Sequence, residues 1–148
     1  MEIETQTSAP DWKIGIALAS QYIEERGWKV VFSFTKDSMA EFAKKKITVN
    51  SRHPLKIRYY VLLHEIGHAI DMDSIFYSSV RERAGPRYNT LAYRVETVRS
   101  EFEAWDKGKL LALTNNWPMD KTYLDIQAKF LSKYMDWVNN RKNKKVKK

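Results

Sequence analysis

The chain reads VLLHEIGHAID over residues 61–71, and the predictions of its fold and of its functional site both start from this stretch. Its two histidines, His64 and His68, are four residues apart and therefore lie on one face of a helix, roughly 6 Å from each other. Both imidazoles can reach one ion from there. Glu65 directly follows the first histidine, which places its carboxylate where it can contact a water molecule on that ion.

Zinc suits this pair, because neutral imidazole nitrogens fit a tetrahedral ion that keeps one position open for water. The alternative is a pair of core histidines with ordinary hydrogen-bond partners. The pattern H-E-x-x-H should arise by chance in well under about one in a hundred chains of this length. Here it lies in an apolar helical run, where Gly67 and Ala69 let another backbone or a substrate come close. We therefore predict a zinc site on a central, buried helix.

The composition predicts a single globular domain. The chain has 148 residues, of which 43% are hydrophobic and 13% aromatic, enough to bury a core. There is no cysteine, which excludes a disulfide scaffold and a cysteine-ligated zinc. No apolar run has the length of a membrane span, and the first residues lack the pattern of a signal peptide. We expect a cytoplasmic protein without membrane contact; its oligomeric state has no signature in the sequence.

The net charge of +8 is concentrated at one end of the chain. Residues 141–148 carry six positive charges and no negative one, which leaves 20 basic against 18 acidic residues elsewhere. Such a tail predicts weak contact with nucleic acid or another acidic partner, and a solvated terminus is an equally good interpretation. The expected organisation is a flexible segment over residues 1–10, a metallopeptidase domain over 11–140 and a basic flexible tail over 141–148.

The pattern of the chain before the motif indicates an α+β fold with a small antiparallel sheet and about four helices. Asp11 is the expected cap of a first helix that stops at Gly27. Residues 28–34 are rich in β-branched and aromatic side chains and predict a strand. A second strand is expected within residues 41–50, paired antiparallel to the first.

After the sheet, three further segments are expected. The motif helix begins near Pro54, and residues 74–88 are predicted to form a loop or mobile lid with a break at Gly85-Pro86. A third helix is expected from a cap at Asn89 or Thr90 to about Leu113. Asp120 is then expected to cap a fourth helix, whose apolar stripe predicts core packing.

Two histidines need a third protein ligand to hold a catalytic zinc ion. His53 lies upstream, at the expected entry of the motif helix. Ser74 stands where the longer pattern H-E-x-x-H-x-x-G-x-x-H has its third histidine. A carboxylate from the third helix is therefore the natural candidate, and that helix offers Glu96, Glu101 and Glu103.

Helical periodicity favours one of these three acids. Glu101 shares the apolar stripe of Val98 and Trp105, where an ionised carboxylate is costly unless it is paired or metal-bound. Glu103 shares its face with Arg99, which is an ordinary setting for an ion pair. We predict that Glu101 is the third ligand, with Glu103 as the alternative.

The order of these motifs resembles a known family. The HEIGH pattern followed by EFEAW over residues 101–105 is similar to the gluzincin metallopeptidases, above all to the short ImmA/IrrE-like minimal metalloproteases. Those proteins place a helix and a small sheet before the motif helix and supply a glutamate from an E-x-x-A segment, which Glu101 to Ala104 matches. The resemblance covers residues 11–113. Trp105 and Lys107-Gly108 depart from the family pattern, which has a small polar residue and an F-A pair there.

The resemblance implies a zincin-like fold in which His64, His68 and Glu101 hold Zn²⁺ and Glu65 acts as general base. The chemistry of the residues agrees with it, because zinc lowers the pKa of a bound water from about 16 toward roughly 7. The expected reaction is hydrolysis of a peptide bond in an intracellular protein, with the substrate lying along the sheet edge as an added strand.

Two roles in this site stay open at the level of sequence. The tetrahedral oxyanion needs a hydrogen-bond donor, for which Tyr88, Tyr93 and Arg94 are all candidates. Asp71 shares the metal-binding face and either orients a ligating histidine or is an exposed acid near the helix end.

Two other functions compete with the peptidase. The first is a non-enzymatic zinc-binding regulatory module that contacts nucleic acid through residues 141–148, and it predicts salt-sensitive binding that disappears when this tail is removed. An intact Glu65 argues against it, because a purely structural zinc site needs no base. The second is a zinc hydrolase that acts on a non-peptide amide.

Overall fold

The computed structural model describes residues 9–139 and has an α+β architecture, with five helices and a three-stranded sheet in that range. The elements in chain order are α1 (Trp12–Glu24), β1 (Lys29–Ser33), β2 (Met39–Glu41), β3 (Lys46–Asn50), α2 (Leu55–Met72), α3 (Val80–Ala84), α4 (Leu91–Thr114) and α5 (Thr122–Asn139). Helix α2 packs against α1, α4, β2 and β3. Its apolar residues face several of these neighbours at once, and most of it between Tyr59 and Ala69 is therefore buried.

The first helix follows the predicted signals. The carboxylate of Asp11 accepts hydrogen bonds from the backbone N–H groups of Lys13 at 3.0 Å and Ile14 at 3.2 Å, which caps α1. The helix ends before Gly27, whose φ of +89° lies in the left-handed region that favours glycine. The predicted strand over residues 28–34 is confirmed as β1.

The predicted antiparallel pairing of the sheet is wrong. The strand order is β1-β3-β2, with β1 parallel to β3 and β2 antiparallel to β3. The strand expected within residues 41–50 is confirmed as β3, and the same stretch also contains the end of β2 and a turn with Lys45 at a φ of +46°. Because β2 reverses the chain once more than expected, β3 runs in the same direction as β1. The sheet is consequently mixed, and β2 is one of its edges.

Residues 74–88 contain a short helix where the sequence analysis placed only a loop. Helix α3 begins at a capping box in which Ser79 accepts from the backbone N–H of Glu82 and the Glu82 carboxylate accepts from that of Ser79. The S-x-x-E pattern of a capping box is visible in the sequence and was the missed signal. Helix α4 begins at the predicted cap, since the side chain of Thr90 accepts from the N–H of Tyr93.

Helix α5 is anchored to the motif helix at its start. The carboxylate of Asp120 accepts hydrogen bonds from the backbone N–H of Thr122 at 3.0 Å and from the Tyr60 hydroxyl at 2.7 Å, and it lies 3.3 Å from the Lys56 ammonium. Asp120 therefore lies two residues before α5, accepts the first backbone N–H of that helix and also ties α5 to α2. The predicted tail over residues 141–148 lies outside the described residues, as does the predicted flexible segment apart from residues 9 and 10.

The crossing of α2 and α4 depends on glycine. A Cβ atom on Gly67 would collide with the backbone carbonyl of Ala104, and a Cβ atom on Gly108 would lie 2.5 Å from the carbonyl oxygen of Leu63. The two helices approach each other at these points as closely as their backbones permit. An ion pair of 2.5 Å between the Lys107 ammonium and the Asp71 carboxylate adds a further link. This close crossing fixes the distance between the motif and α4.

Within the described residues, none of the helices combines the length and the apolar character that crossing a membrane requires.

Candidate metal centre

The two motif histidines face a single carboxylate oxygen from α4. The rings of His64 and His68 lie one helical turn apart, with centroids separated by 4.7 Å. Oε2 of Glu101 is 3.2 Å from Nε2 of His64 and also contacts Nε2 of His68. Three potential ligand atoms from two helices therefore converge on one point.

The structure brings Glu101 to the histidines and places the other two acids of α4 elsewhere. The side chain of Glu101 is only 12% exposed and points inward across the glycine-mediated crossing. The side chain of Glu103 is 44% exposed and pairs with the Arg99 guanidinium at 3.0 Å. Glu96 pairs with Arg83 at 3.4 Å and with Arg99. The face of α4 on which each acid lies accounts for the difference.

Glu65 is a second acid close to the histidines. It is buried, and its Oε2 lies 3.2 Å from Nδ1 of His64. The ligand atoms of His64, Glu65 and His68 lie within 4.8 Å of one another, so these three residues alone form a group that could hold a metal ion. Glu65, however, faces the Nδ1 side of the His64 ring, whereas Glu101 faces Nε2 of both histidines. An ion bound by the two Nε2 atoms would thus have Glu101 as its nearest carboxylate.

The same contacts shift the pKa values of His64 and Glu101 in opposite directions. Burial by itself lowers the pKa of His64, but hydrogen bonds to Glu101 and Glu65 outweigh it and raise that pKa to about 9. Burial by itself raises the pKa of Glu101, but its hydrogen bonds with His64 and His68 hold it well below the usual range. In the metal-free protein, both ring nitrogens of His64 therefore face carboxylates and carry protons at neutral pH.

A metal ion bound at Nε2 of His64, with zinc as the predicted ion, would release about one proton from this residue at neutral pH. The proton on Nε2 competes with the metal, so the apparent zinc affinity should rise with pH up to about 9 and level off above it. Calorimetric titration with zinc in buffers of different ionisation enthalpy counts the released protons. His53→Gln is the control, because His53 contacts neither Nε2 atom and its replacement should leave the count unchanged. A proton count near zero at neutral pH would contradict this assignment.

Two aromatic side chains complete the immediate surroundings. The Trp105 indole stacks on the His64 ring, with centroids 4.6 Å apart and planes inclined by 13°. The Tyr134 hydroxyl donates a hydrogen bond of 2.5 Å to Oε1 of Glu101. Tyr134 belongs to the apolar stripe of the fourth helix, for which the sequence predicts only core packing. A tyrosine on an apolar stripe does carry a polar tip that needs a partner, but the sequence does not indicate which one.

An open cleft of about 650 Å³ gives access to these residues. It lies between the edge strand β2 and helices α3, α4 and α5, and His64, Glu65, His68 and Glu101 all line it. The edge strand contributes Met39 and Ala40 to its wall. The arrangement therefore joins a group of potential metal ligands to a space large enough for an extended peptide segment.

The structure separates the three candidate oxyanion donors. Tyr93 lines the cleft, whereas Arg94 is buried and donates to the carbonyl oxygens of Trp137 at 3.2 Å and Thr90 at 3.4 Å. Tyr88 is 60% exposed and lies apart from the residues that line the cleft. Only Tyr93 of the three is therefore placed beside the candidate site.

The two remaining residues singled out in the sequence have other neighbours. Asp71 forms its ion pair with Lys107 and does not contact either histidine through a described hydrogen bond. His53 lies before α2 and lines the cleft, where its ring packs edge-on against Phe130 at a centroid distance of 6.0 Å.

A scan of protein-family models and searches of curated proteins and of solved structures found no match to this chain.

Proposed function

We propose that this protein is a zinc-dependent metallopeptidase with a zincin-like fold, in which His64, His68 and Glu101 hold the metal and Glu65 is the general base. One observation carries the proposal: Oε2 of Glu101 reaches the Nε2 atoms of both motif histidines across the crossing of α2 and α4. This acid is the one that completes a two-histidine, one-carboxylate zinc site, and Glu65 lies beside it.

The donor atoms fit zinc in number and type, and the separation of one pair fits a tetrahedral ion. Neighbouring ligands on a tetrahedral zinc ion are separated by about 3.3 Å when its bonds are about 2.0 Å long. The separation of 3.2 Å between Nε2 of His64 and Oε2 of Glu101 matches this value. In the metal-free protein, the proton on Nε2 of His64 occupies the position between the imidazole and the carboxylate that a metal ion would take, so the metal would replace this proton.

Glu65 has two tasks in this proposal. Its Oε2 accepts a hydrogen bond from Nδ1 of His64, which fixes the tautomer that leaves Nε2 free for a metal. Its carboxylate also takes the proton of the attacking water and passes it to the leaving amine nitrogen. Zinc, when bound, supplies the Lewis acidity that activates this water and polarises the scissile carbonyl. Tyr93 lines the cleft and is the proposed hydrogen-bond donor to the developing oxyanion.

The edge strand β2 supports a peptide as the substrate. Its outer side is unpaired in the described sheet, and its residues Met39 and Ala40 face the cleft that contains Glu65. An extended peptide can add to such an edge through main-chain hydrogen bonds, which position its scissile bond without requiring a particular sequence. The exposed side chains of Met39, Phe42 and Tyr77 give this edge an apolar surface for substrate side chains.

Removal and return of the metal test the proposal. The zinc-loaded protein is expected to cleave members of a mixed peptide library, detected by mass spectrometry as new termini, and to lose cleavage after zinc removal with dipicolinic acid. Added zinc should restore it. Cleavage that is unaffected by metal removal would contradict the proposal. Zinc binding with hydrolysis of amide compounds but not of peptides would favour the non-peptide hydrolase, and zinc binding without any hydrolysis would favour the regulatory module.

A further inference from the structure

Tyr134 contacts the proposed metal site from a helix outside the stretch that resembles the minimal metalloproteases. The two oxygens of Glu101 have separate partners: Oε2 faces the histidines, and Oε1 accepts a 2.5 Å hydrogen bond from the Tyr134 hydroxyl. Tyr134 also lines the cleft. The side chain of Tyr134, on α5, is therefore the hydrogen-bond partner of Oε1, the oxygen of Glu101 that does not face the histidines.

We propose that Tyr134 is a positioning residue that holds Glu101 as a one-oxygen metal ligand. The inference rests on the proposed function, in which His64, His68 and Glu101 bind zinc. A carboxylate can bind a metal through one oxygen or through both, and a strong hydrogen bond to Oε1 keeps that oxygen turned away from the ion. One-oxygen binding gives a site of three protein ligands with the fourth position open for water.

The position of Tyr134 is well defined because α5 is attached to α4 on both sides of it. Toward the start of α5, the Tyr123 hydroxyl donates a 2.5 Å hydrogen bond to the carbonyl oxygen of Trp105. Toward its end, the Arg94 guanidinium donates to the carbonyl oxygen of Trp137. Tyr134 lies between these two attachments, so its hydroxyl has a fixed direction relative to Glu101. Helix α5 thereby becomes part of the metal site as well as part of the core.

The test compares two tyrosines of the same helix. Tyr134→Phe removes the hydroxyl that contacts Glu101, and Tyr123→Phe removes a hydroxyl that contacts the backbone of the same partner helix. We expect Tyr134→Phe to weaken zinc binding by about 10–100-fold, as is typical when a group that orients a metal ligand is lost. Tyr123→Phe is expected to lower the melting temperature and to change zinc affinity far less than Tyr134→Phe does, because the Tyr134 hydroxyl and the attachment through Arg94 are both kept. Zinc affinity is measured by competition with a chromophoric chelator.

A second readout reports the coordination itself. Co²⁺ bound in place of zinc absorbs visible light with an intensity that falls when the ion passes from four to five ligands. The spectrum should weaken in Tyr134→Phe, because the freed Oε1 can join the ion, and stay unchanged in Tyr123→Phe. If Tyr134→Phe does not fold, a crystal structure of the zinc-loaded wild-type protein decides the matter: Glu101 should contact the ion through Oε2 alone, with Oε1 still on the Tyr134 hydroxyl.

The outcomes separate this inference from the proposed function. If Tyr134→Phe has wild-type zinc affinity and Co²⁺ spectrum, or if both tyrosine variants weaken binding equally, Tyr134 has no special role, and the proposed ligand set stands. The same conclusion follows if the crystal structure has to decide and Glu101 binds the ion through both oxygens. If the wild-type protein itself binds neither zinc nor Co²⁺, the proposed function fails, and the role of Tyr134 fails with it.

Discussion

Replacement of Glu65 by glutamine is expected to abolish peptide hydrolysis while zinc remains bound. Glutamine keeps the shape of the side chain, and its amide oxygen can still accept a hydrogen bond from Nδ1 of His64, which in the native protein lies 3.2 Å from the Glu65 carboxylate. It cannot take a proton from water. The loss of a general base typically costs about 10²–10⁴-fold in rate, so kcat/KM on a cleaved peptide should fall by that factor.

The control for this substitution is Glu24→Gln, the same chemical change at an exposed position near the end of α1. It should leave both kcat/KM and bound zinc at the wild-type level. Metal content, measured beside activity, separates two ways in which the expectation can fail. A Glu65→Gln variant that cleaves at the wild-type rate would show that another group is the base. A variant that loses its zinc would show that Glu65 is itself a ligand, a role that the close grouping of His64, Glu65 and His68 permits.

The second large effect is expected at the third ligand. Glu101→Ala should lose zinc almost completely, because it removes the oxygen that faces both histidines. The loss of affinity should exceed the roughly 10–100-fold that follows when only a supporting group is removed. Glu103→Ala is the matched control, since it removes an acid two residues away that pairs with Arg99 at the surface. Bound zinc per chain, measured by atomic emission after gel filtration, should therefore stay at the wild-type level in Glu103→Ala.

Each alternative result of that comparison has a distinct meaning. Metal loss in Glu103→Ala but not in Glu101→Ala would move the ligand role to Glu103 and would require α4 to rotate. Full zinc binding in both variants would indicate that Glu65 occupies the third position beside the two histidines. Circular dichroism of the metal-free proteins confirms that the variants are folded.

Local signals were sufficient for most of the helices. The caps at Asp11 and Thr90 depend on one side chain and the backbone N–H groups next to it; Asp11 is confirmed, and Thr90 is the one of the two predicted candidates that caps α4. The motif needs only the helical repeat to bring His64 and His68 to one face. The capping box of Ser79 and Glu82 that starts α3 is an equally local signal. It is visible in the sequence, so this helix could also have been predicted.

The sheet could not be predicted in the same way. Strand β2 is only three residues long, and its sequence, Met-Ala-Glu, has little of the β-branched and aromatic character that marks a strand. Its existence depends on pairing with β3, in which Ala40 lies opposite Ile47. The direction of β3 relative to β1 depends in turn on β2. Because the three residues of β2 were not predicted to form a strand, the predicted direction of β3 relative to β1 was wrong.

The sequence by itself determined which donor atoms are present and which face of its own helix each one occupies. The helical repeat placed two imidazoles on one face of α2, and the cost of burying an unpaired carboxylate favoured Glu101 over Glu103 on α4. Only the tertiary structure decided that these faces meet, because their separation is set by the packing of Gly67 against Ala104 and of Gly108 against Leu63. The same holds for Tyr134: a local pattern gives a side chain its direction, but only the packing of α5 on α4 gives it Glu101 as a partner.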